Sequence, residues 1–233
     1  MLLSTPGLVL HTTPYSESSV VAKVFTRQLG LRSYIIKGVR GRRGRVKQNM
    51  LQPLSNLDMV VYNNEKTDLN YIKEISPRNI STYQPANVSI ENALRFFMTE
   101  VLYKALREAE PMPALWDYVE SVETQYEASP HTPICFLLTV ARHLGIEPRD
   151  NYCPREPYFC LEAGQFVSSP NETTLSLPLS QTLHEYLLSF RSFPSCTLQS
   201  RRDLIDALIA YYHLHLSGFH NFHSHEILHT ILK

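Results

Sequence analysis

Between Lys37 and Lys47 the chain reads Lys-Gly-Val-Arg-Gly-Arg-Arg-Gly-Arg-Val-Lys, with six basic side chains (Lys37, Arg40, Arg42, Arg43, Arg45 and Lys47), three glycines and no acid. Guanidinium groups are permanently charged, planar donors that fork onto phosphate oxygens. Glycine at every third position (Gly38, Gly41, Gly44) lets the backbone follow a phosphate chain closely. A basic run of this kind is often only a solvated loop. The glycine spacing, and the crowding of five cations between Arg40 and Lys47, favour a loop that grips a polyanion.

Other constellations carry less. Six of the ten histidines lie within 17 residues (His213, His215, His220, His223, His225, His229), and His225-Glu-Ile-Leu-His229 matches the five-residue zinc pattern. An i, i+4 histidine pair shares a helix face, but a third ligand is unspecified and the helix short, so surface histidines are the default. Cys153 and Cys160 form one loose pair where a closed zinc shell needs two tight ones. No metal or other cofactor is therefore expected. Neither a phosphate-cradling G-x-x-x-x-G-K-[ST] frame nor a G-x-S-x-G elbow occurs. Acids such as Glu100, Glu108 and Glu110 read as solvated helix faces, and no active site emerges.

The elements that must position the basic run follow from periodicity. The 233 residues carry no net charge, yet residues 1–80 hold 12 Lys and Arg against 5 Asp and Glu, a balance of +7, and residues 81–233 carry −7. That asymmetry points to a polyanion-facing front joined to a different rear. Five β-prone runs, at 7–11, 18–26, 32–37, 56–62 and 69–74, predict a small barrel, and the five-stranded OB-fold suits the count. OB-folds grip single strands through a basic groove with stacking aromatics, for which Tyr15, Phe25, Tyr34 and Tyr62 are available. Arg32 and Tyr34, on the third strand, complete the candidate DNA-binding set. After Pro77 and Pro85 the period changes to 3.6. Helices are predicted from Ser89 to before Pro111, at 115–126, from Ile134 to Leu144, around Leu183–Phe190, around Leu204–Tyr212 and around Ile227–Ile231. Residues 150–178 read as a loop or hairpin with strands at 158–161 and 165–167. The expected fold is thus α+β in two domains, an OB-fold barrel over 1–80 and a helical domain over 81–233. No secretory signal or membrane-length apolar stretch is read, and four scattered cysteines fit a reducing cytoplasm.

The order of short motifs resembles the RecO family of bacterial recombination mediators. It is carried by Gly7-Leu-Val-Leu10, Tyr15-Ser-Glu17, Val24-Phe-Thr26 followed by Gly30, Lys37-Gly38 and Leu51-Gln-Pro53. In the rear half it resumes at Glu100-Val-Leu-Tyr103, His143-Leu-Gly145 and Tyr211-Tyr-His-Leu-His-Leu-Ser-Gly-Phe219. The resemblance implies an N-terminal OB-fold, a helical C-terminal domain and a non-enzymatic role. That role is to bind single- and double-stranded DNA, anneal complementary strands and, with RecR, help RecA displace single-strand-binding protein. It suggests the C-terminal tail of that protein as a ligand of the acidic rear half. Many relatives carry a four-cysteine zinc site there, and the second pair is missing here. Two other readings stay open: an RNA-binding OB module, and a metal-dependent hydrolase built on the terminal histidines.

Overall fold

The computed structural model describes residues 1–39, 46–64, 66–78, 88–106, 110–125, 129–188 and 194–231, with the backbone alone at 123–125. Five strands form a closed barrel in the order β1-β2-β3-β5-β4. They are β1 (Leu2–Pro14), β2 (Val20–Thr26), β3 (Gly30–Ile36), β4 (Asn56–Tyr62) and β5 (Leu69–Pro77). Closure depends on β1, which at 13 residues is longer than its apolar run predicts. Residues Leu2 to Leu8 pair with β4, and Gly7 to Pro14 pair with β2, with a bulge between Val9 and His11. Pro6, which cannot donate to a ladder, falls in the part of β1 that pairs with β4 alone, where the opposite edge needs no donor. Gly7 lies where the barrel wall is tightest; a Cβ there would come within 2.6 Å of both Met59 and Val24 side chains. The parallel pairing of β3 with β5 closes the ring and is short, from Ser33↔Leu69 to Ile35↔Tyr71. This is the OB-fold strand order with a helical remainder, as the periodicity predicts. The interior is filled by Val9, Val20, Ala22, Val24, Tyr34, Ile36, Leu57, Met59 and Val61, among others.

The helices are α1 (Val88–Ala105), α2 (Pro113–Gln125), α3 (Thr132–His143), α4 (Leu177–Leu188), α5 (Leu198–His215) and α6 (Ser224–Ile231). A two-stranded hairpin of β6 (Tyr158–Cys160) and β7 (Gln165–Val167) separates α3 from α4. The chain forms two compact units, one of Met1–Ala86 with Leu102–Glu127, the other of Asn87–Val101 with Ala128–Lys233.

In the first unit, α2 is bound to the barrel. Trp116 is 1 % exposed and its indole N–H donates to the carbonyl of Phe25 (3.1 Å). Arg27 forks onto Asp117 (2.7 and 3.0 Å), Asn56 donates to Glu120 (3.1 Å), and Arg78 reaches both Glu120 and Asp58. Gly30 turns the chain between β2 and β3 at φ +68°, a conformation that favours glycine, and the Glu110 carbonyl sits where its side chain would be.

In the second unit, α3, α5 and the hairpin share an apolar core. Tyr212 donates to the carbonyl of Leu137 (2.6 Å) and Tyr211 to that of Ile146 (2.8 Å). The hairpin is latched by Asn151, whose side chain bonds both the N–H and C=O of Phe166 (2.8 and 3.0 Å). Glu100 has a structural task rather than a solvated one. Its carboxylate accepts from the backbone N–H groups of His223 and Ser224 (3.2 and 2.7 Å) and so caps the start of α6, satisfying donors that a helix terminus leaves open.

Candidate nucleic-acid interface

The four loop arginines Arg40, Arg42, Arg43 and Arg45 lie outside the described residues. The two ends of their loop are described. Val39 and Val46 are buried in the barrel core, and Lys37 and Lys47, just outside them, are exposed. Lys37 and Val46 both line a groove of about 1000 Å³ on the barrel surface. The basic run therefore begins and ends at this groove.

The groove follows from the barrel's topology. Pairing between β3 and β5 stops at Ile35↔Tyr71, while β5 continues against β4 to Pro77. Past Tyr71 the two parallel strands part, and Ile72 to Ile75 line the opening. The β4–β5 connection forms one rim and is held by its own polar residues. The N–H of Asn64 donates to the Asn70 side chain (2.9 Å), the Asn70 amide donates to the Thr67 carbonyl (3.2 Å), and the N–H of Lys66 donates to the Asn64 side chain (3.1 Å). Such Asx contacts fix a loop without help from a ligand.

Two tyrosines face this groove. Tyr62 ends β4 and Tyr71 lies in β5; they are direct cross-strand partners and each is 48 % exposed. Lys37 holds its ammonium 5.3 Å from the centre of the Tyr71 ring, within reach of a cation–π attraction. Lys73 also lines the groove but spends its charge on Glu74 (3.3 Å).

The remaining predicted residues divide. Tyr62 is in the groove and Tyr15 is 60 % exposed elsewhere. Phe25 and Tyr34 are 1 % exposed, and Tyr34 belongs to the interior cluster, so neither ring is offered to a base. Burial pushes the Tyr34 phenol up to about 12, the nearby Arg32 charge acting weakly against it. Its hydroxyl, like the Arg32 Nε, is buried without a hydrogen-bond partner among the described residues. Arg32 is thus partly sunk in the wall of β3. Arg27 and Arg78, counted in the basic balance of the front half, are committed to α2.

Tyr71 escaped the sequence reading although a signal existed. Tyr62 and Tyr71 bracket one short strand connection, and a hairpin places the residues flanking its loop opposite each other.

The histidines and cysteines disperse. His213 stacks on His220, His215 bonds the Leu161 carbonyl, and the His223 backbone serves the α6 cap. His225 and His229 do share one face of α6, but half-buried against Asp206 of α5 (4.0 and 3.5 Å) rather than on the open surface. Burial, the largest influence, holds His229 below its ordinary range and Asp206 above its own, each opposing the other. Among the described residues no three His, Cys, Asp or Glu side chains gather to hold a metal ion. The Cys160 thiol is buried, which raises its pKa. Contacts from Thr173, Ala163, Asn171 and Glu162 outweigh that and hold it below the ordinary value. No helix among the described residues is long and apolar enough to cross a membrane.

Comparison with known proteins agrees with this barrel. The family model described as "Recombination protein O N terminal" matches residues 1–80. The DNA repair protein RecO of Christiangramia forsetii is 29 % identical over 99 % of both chains. That of Flavobacterium johnsoniae is 27 % identical over the full length of both. These matches support the RecO family for this chain. Another RecO relative, from Porphyromonas gingivalis, is 26 % identical and likewise covers 99 % of each chain. The likeness therefore runs through the helical unit as well as the barrel.

Proposed function

We propose that this RecO-family protein is a non-enzymatic mediator of recombinational DNA repair, working in the cytoplasm. It binds single- and double-stranded DNA and anneals complementary strands. The observation that carries the reading is the barrel groove into which both ends of the Lys37–Lys47 run converge. A basic loop rooted on an OB-fold can neutralise phosphates while leaving base edges free to pair, which is what annealing requires. Arg40, Arg42, Arg43 and Arg45, with Lys37 and Lys47, hold phosphates; Arg32 and Tyr34 support the wall from which the loop springs.

The finer role extends the same reading. With RecR as partner, the protein helps RecA load onto strands coated by single-strand-binding protein. The helical half, at −7, repels a polyanion and suits a protein ligand instead. It has a small apolar cleft lined by Leu198, Ile205 and Leu228 with Arg201 and Arg202 beside them, and the C-terminal tail of single-strand-binding protein is its proposed occupant. In domain terms, residues 1–80 carry DNA binding and residues 81–233 carry partner binding.

The test is equilibrium binding of the full chain to a single strand, a duplex and a structured RNA over a range of salt, with annealing followed without ATP. Six phosphate contacts on a single strand give a log–log salt slope of about −4, so fourfold more salt weakens binding roughly two to three hundred-fold. Replacing the four arginines by glutamine should shrink the slope by nearly three, at ~0.7 per contact. Unchanged affinity and slope would return the loop to a solvated turn. Structured RNA bound more tightly than either DNA would favour an RNA-binding module.

A further inference from the structure

We propose that Tyr62 and Tyr71 form a base-stacking pair that makes the groove selective for unpaired strands. The inference rests on the reading that the barrel binds DNA and adds the residues that tell a single strand from a duplex.

The two rings come from directly opposed positions on β4 and β5. Side chains so placed lie on one face with Cβ atoms about 5 Å apart. Their neighbours turn the other way: Val61 is 0 % exposed and Asn70 4 %, against 48 % for each tyrosine. Alternation along the strands thus presents both aromatic faces outward, beside the seam where β3 and β5 separate. The loop joining them is bound by Asn64 and Asn70, so little ordering remains to oppose binding. Lys37, whose ammonium sits over Tyr71, supplies a phosphate partner next to a base platform.

Selectivity follows from the chemistry of stacking. Every base has a π-face, so an aromatic ring accepts any sequence. In a duplex those faces are already stacked on each other, and only the backbone is offered. A groove that contributes rings as well as charge holds an unpaired strand more tightly, and loses that advantage when the strand pairs. Release on pairing is what an annealing protein requires.

The experiment uses the full chain and three ligands: a thymidine oligonucleotide, its counterpart with abasic sites throughout, and a blunt duplex hairpin. Removing bases keeps every phosphate, so the wild-type protein tests the pair without any risk of misfolding. The wild type should bind the abasic strand more weakly than the thymidine strand by ~5- to 150-fold per engaged ring. The double variant Tyr62→Ala/Tyr71→Ala should lose the same factor on the thymidine strand and nothing further on the abasic one. Its duplex affinity and salt slope should stay at wild-type values, and Tyr62→Phe/Tyr71→Phe should restore strand binding. Equal wild-type affinity for thymidine and abasic strands overturns the stacking pair and leaves DNA binding standing. So does a double variant that weakens strand and duplex alike. A wild-type protein that binds none of the three ligands overturns both readings.

Discussion

At the residue scale the barrel's chemistry turns on which side of a strand wall each polar atom lies. Tyr34 is the clearest case. Its hydroxyl is buried with no described partner, and a buried unsatisfied group costs about 1–3 kcal/mol. Tyr34→Phe removes that cost and keeps the ring's packing, so we expect a gain of about 1 kcal/mol in denaturant unfolding, with DNA affinity unchanged. The same residue predicts an alkaline signature. Its folded pKa of about 12 lies above the ordinary phenol value, so above pH 10 the unfolded chain gives up a proton that the folded chain keeps. Its titration leaves stability unchanged below about pH 10 and lowers it by roughly 2–3 kcal/mol as pH rises through about 12. In a stability–pH profile, Tyr34→Phe should flatten the fall between these limits, and a variant as steep as wild type would refute the assignment.

Among the elements, two helices are each held by a side-chain contact with another part of their own unit. Glu100 caps α6 through two backbone donors. Glu100→Ala should cost about 1 kcal/mol, as lost N-terminal caps do, and Glu100→Gln, which still accepts but carries no charge, should recover part of it. Helix α2 is fixed to the barrel chiefly by Trp116. The exposed Arg27–Asp117 pair adds orientation more than stability. Trp116→Phe keeps much of the buried area but loses the indole bond to the Phe25 carbonyl, which should cost about 1 kcal/mol. Trp116→Ala opens a cavity as well, at about 3–5 kcal/mol. Both are read as shifts in the urea midpoint of the full chain.

For the whole molecule, the compact units and the proposed functional division do not share a boundary in sequence. The barrel's unit includes Leu102–Glu127, so a fragment of residues 1–80 would lack α2 and expose the barrel surface that Trp116 covers. Such a fragment should still bind DNA with the salt slope of the full chain but unfold at lower denaturant. Equal midpoints would mean that α2 contributes nothing to the barrel. Charge follows the same logic: the front half's +7 overstates its free positive charge, because Arg27 and Arg78 are neutralised against α2. Under the proposed function, the glycine-rich run and its flanking lysines should dominate the salt dependence.

The strands and helices were legible because period two and period 3.6 are local properties, written in side chains a few residues apart. The basic run was legible because charge and glycine spacing are local too. The short strand expected at 7–11 came out as the 13-residue β1 because half of that strand is recruited by β4, a partner some fifty residues downstream. Whether Tyr34 faced core or groove was not legible because this strand is buried along nearly its whole length, which erases the alternation that separates core from surface. Tyr71 and Lys37 are 34 positions apart, and only the parallel seam of β3 with β5 brings them together. Glu100 and Ser224, the cap and the capped, are farther apart still. Sequence alone determined which segments are strands, which are helices and where positive charge is dense. Tertiary structure decided which side chains meet, because barrel closure and helix packing are long-range choices that local periodicity does not encode.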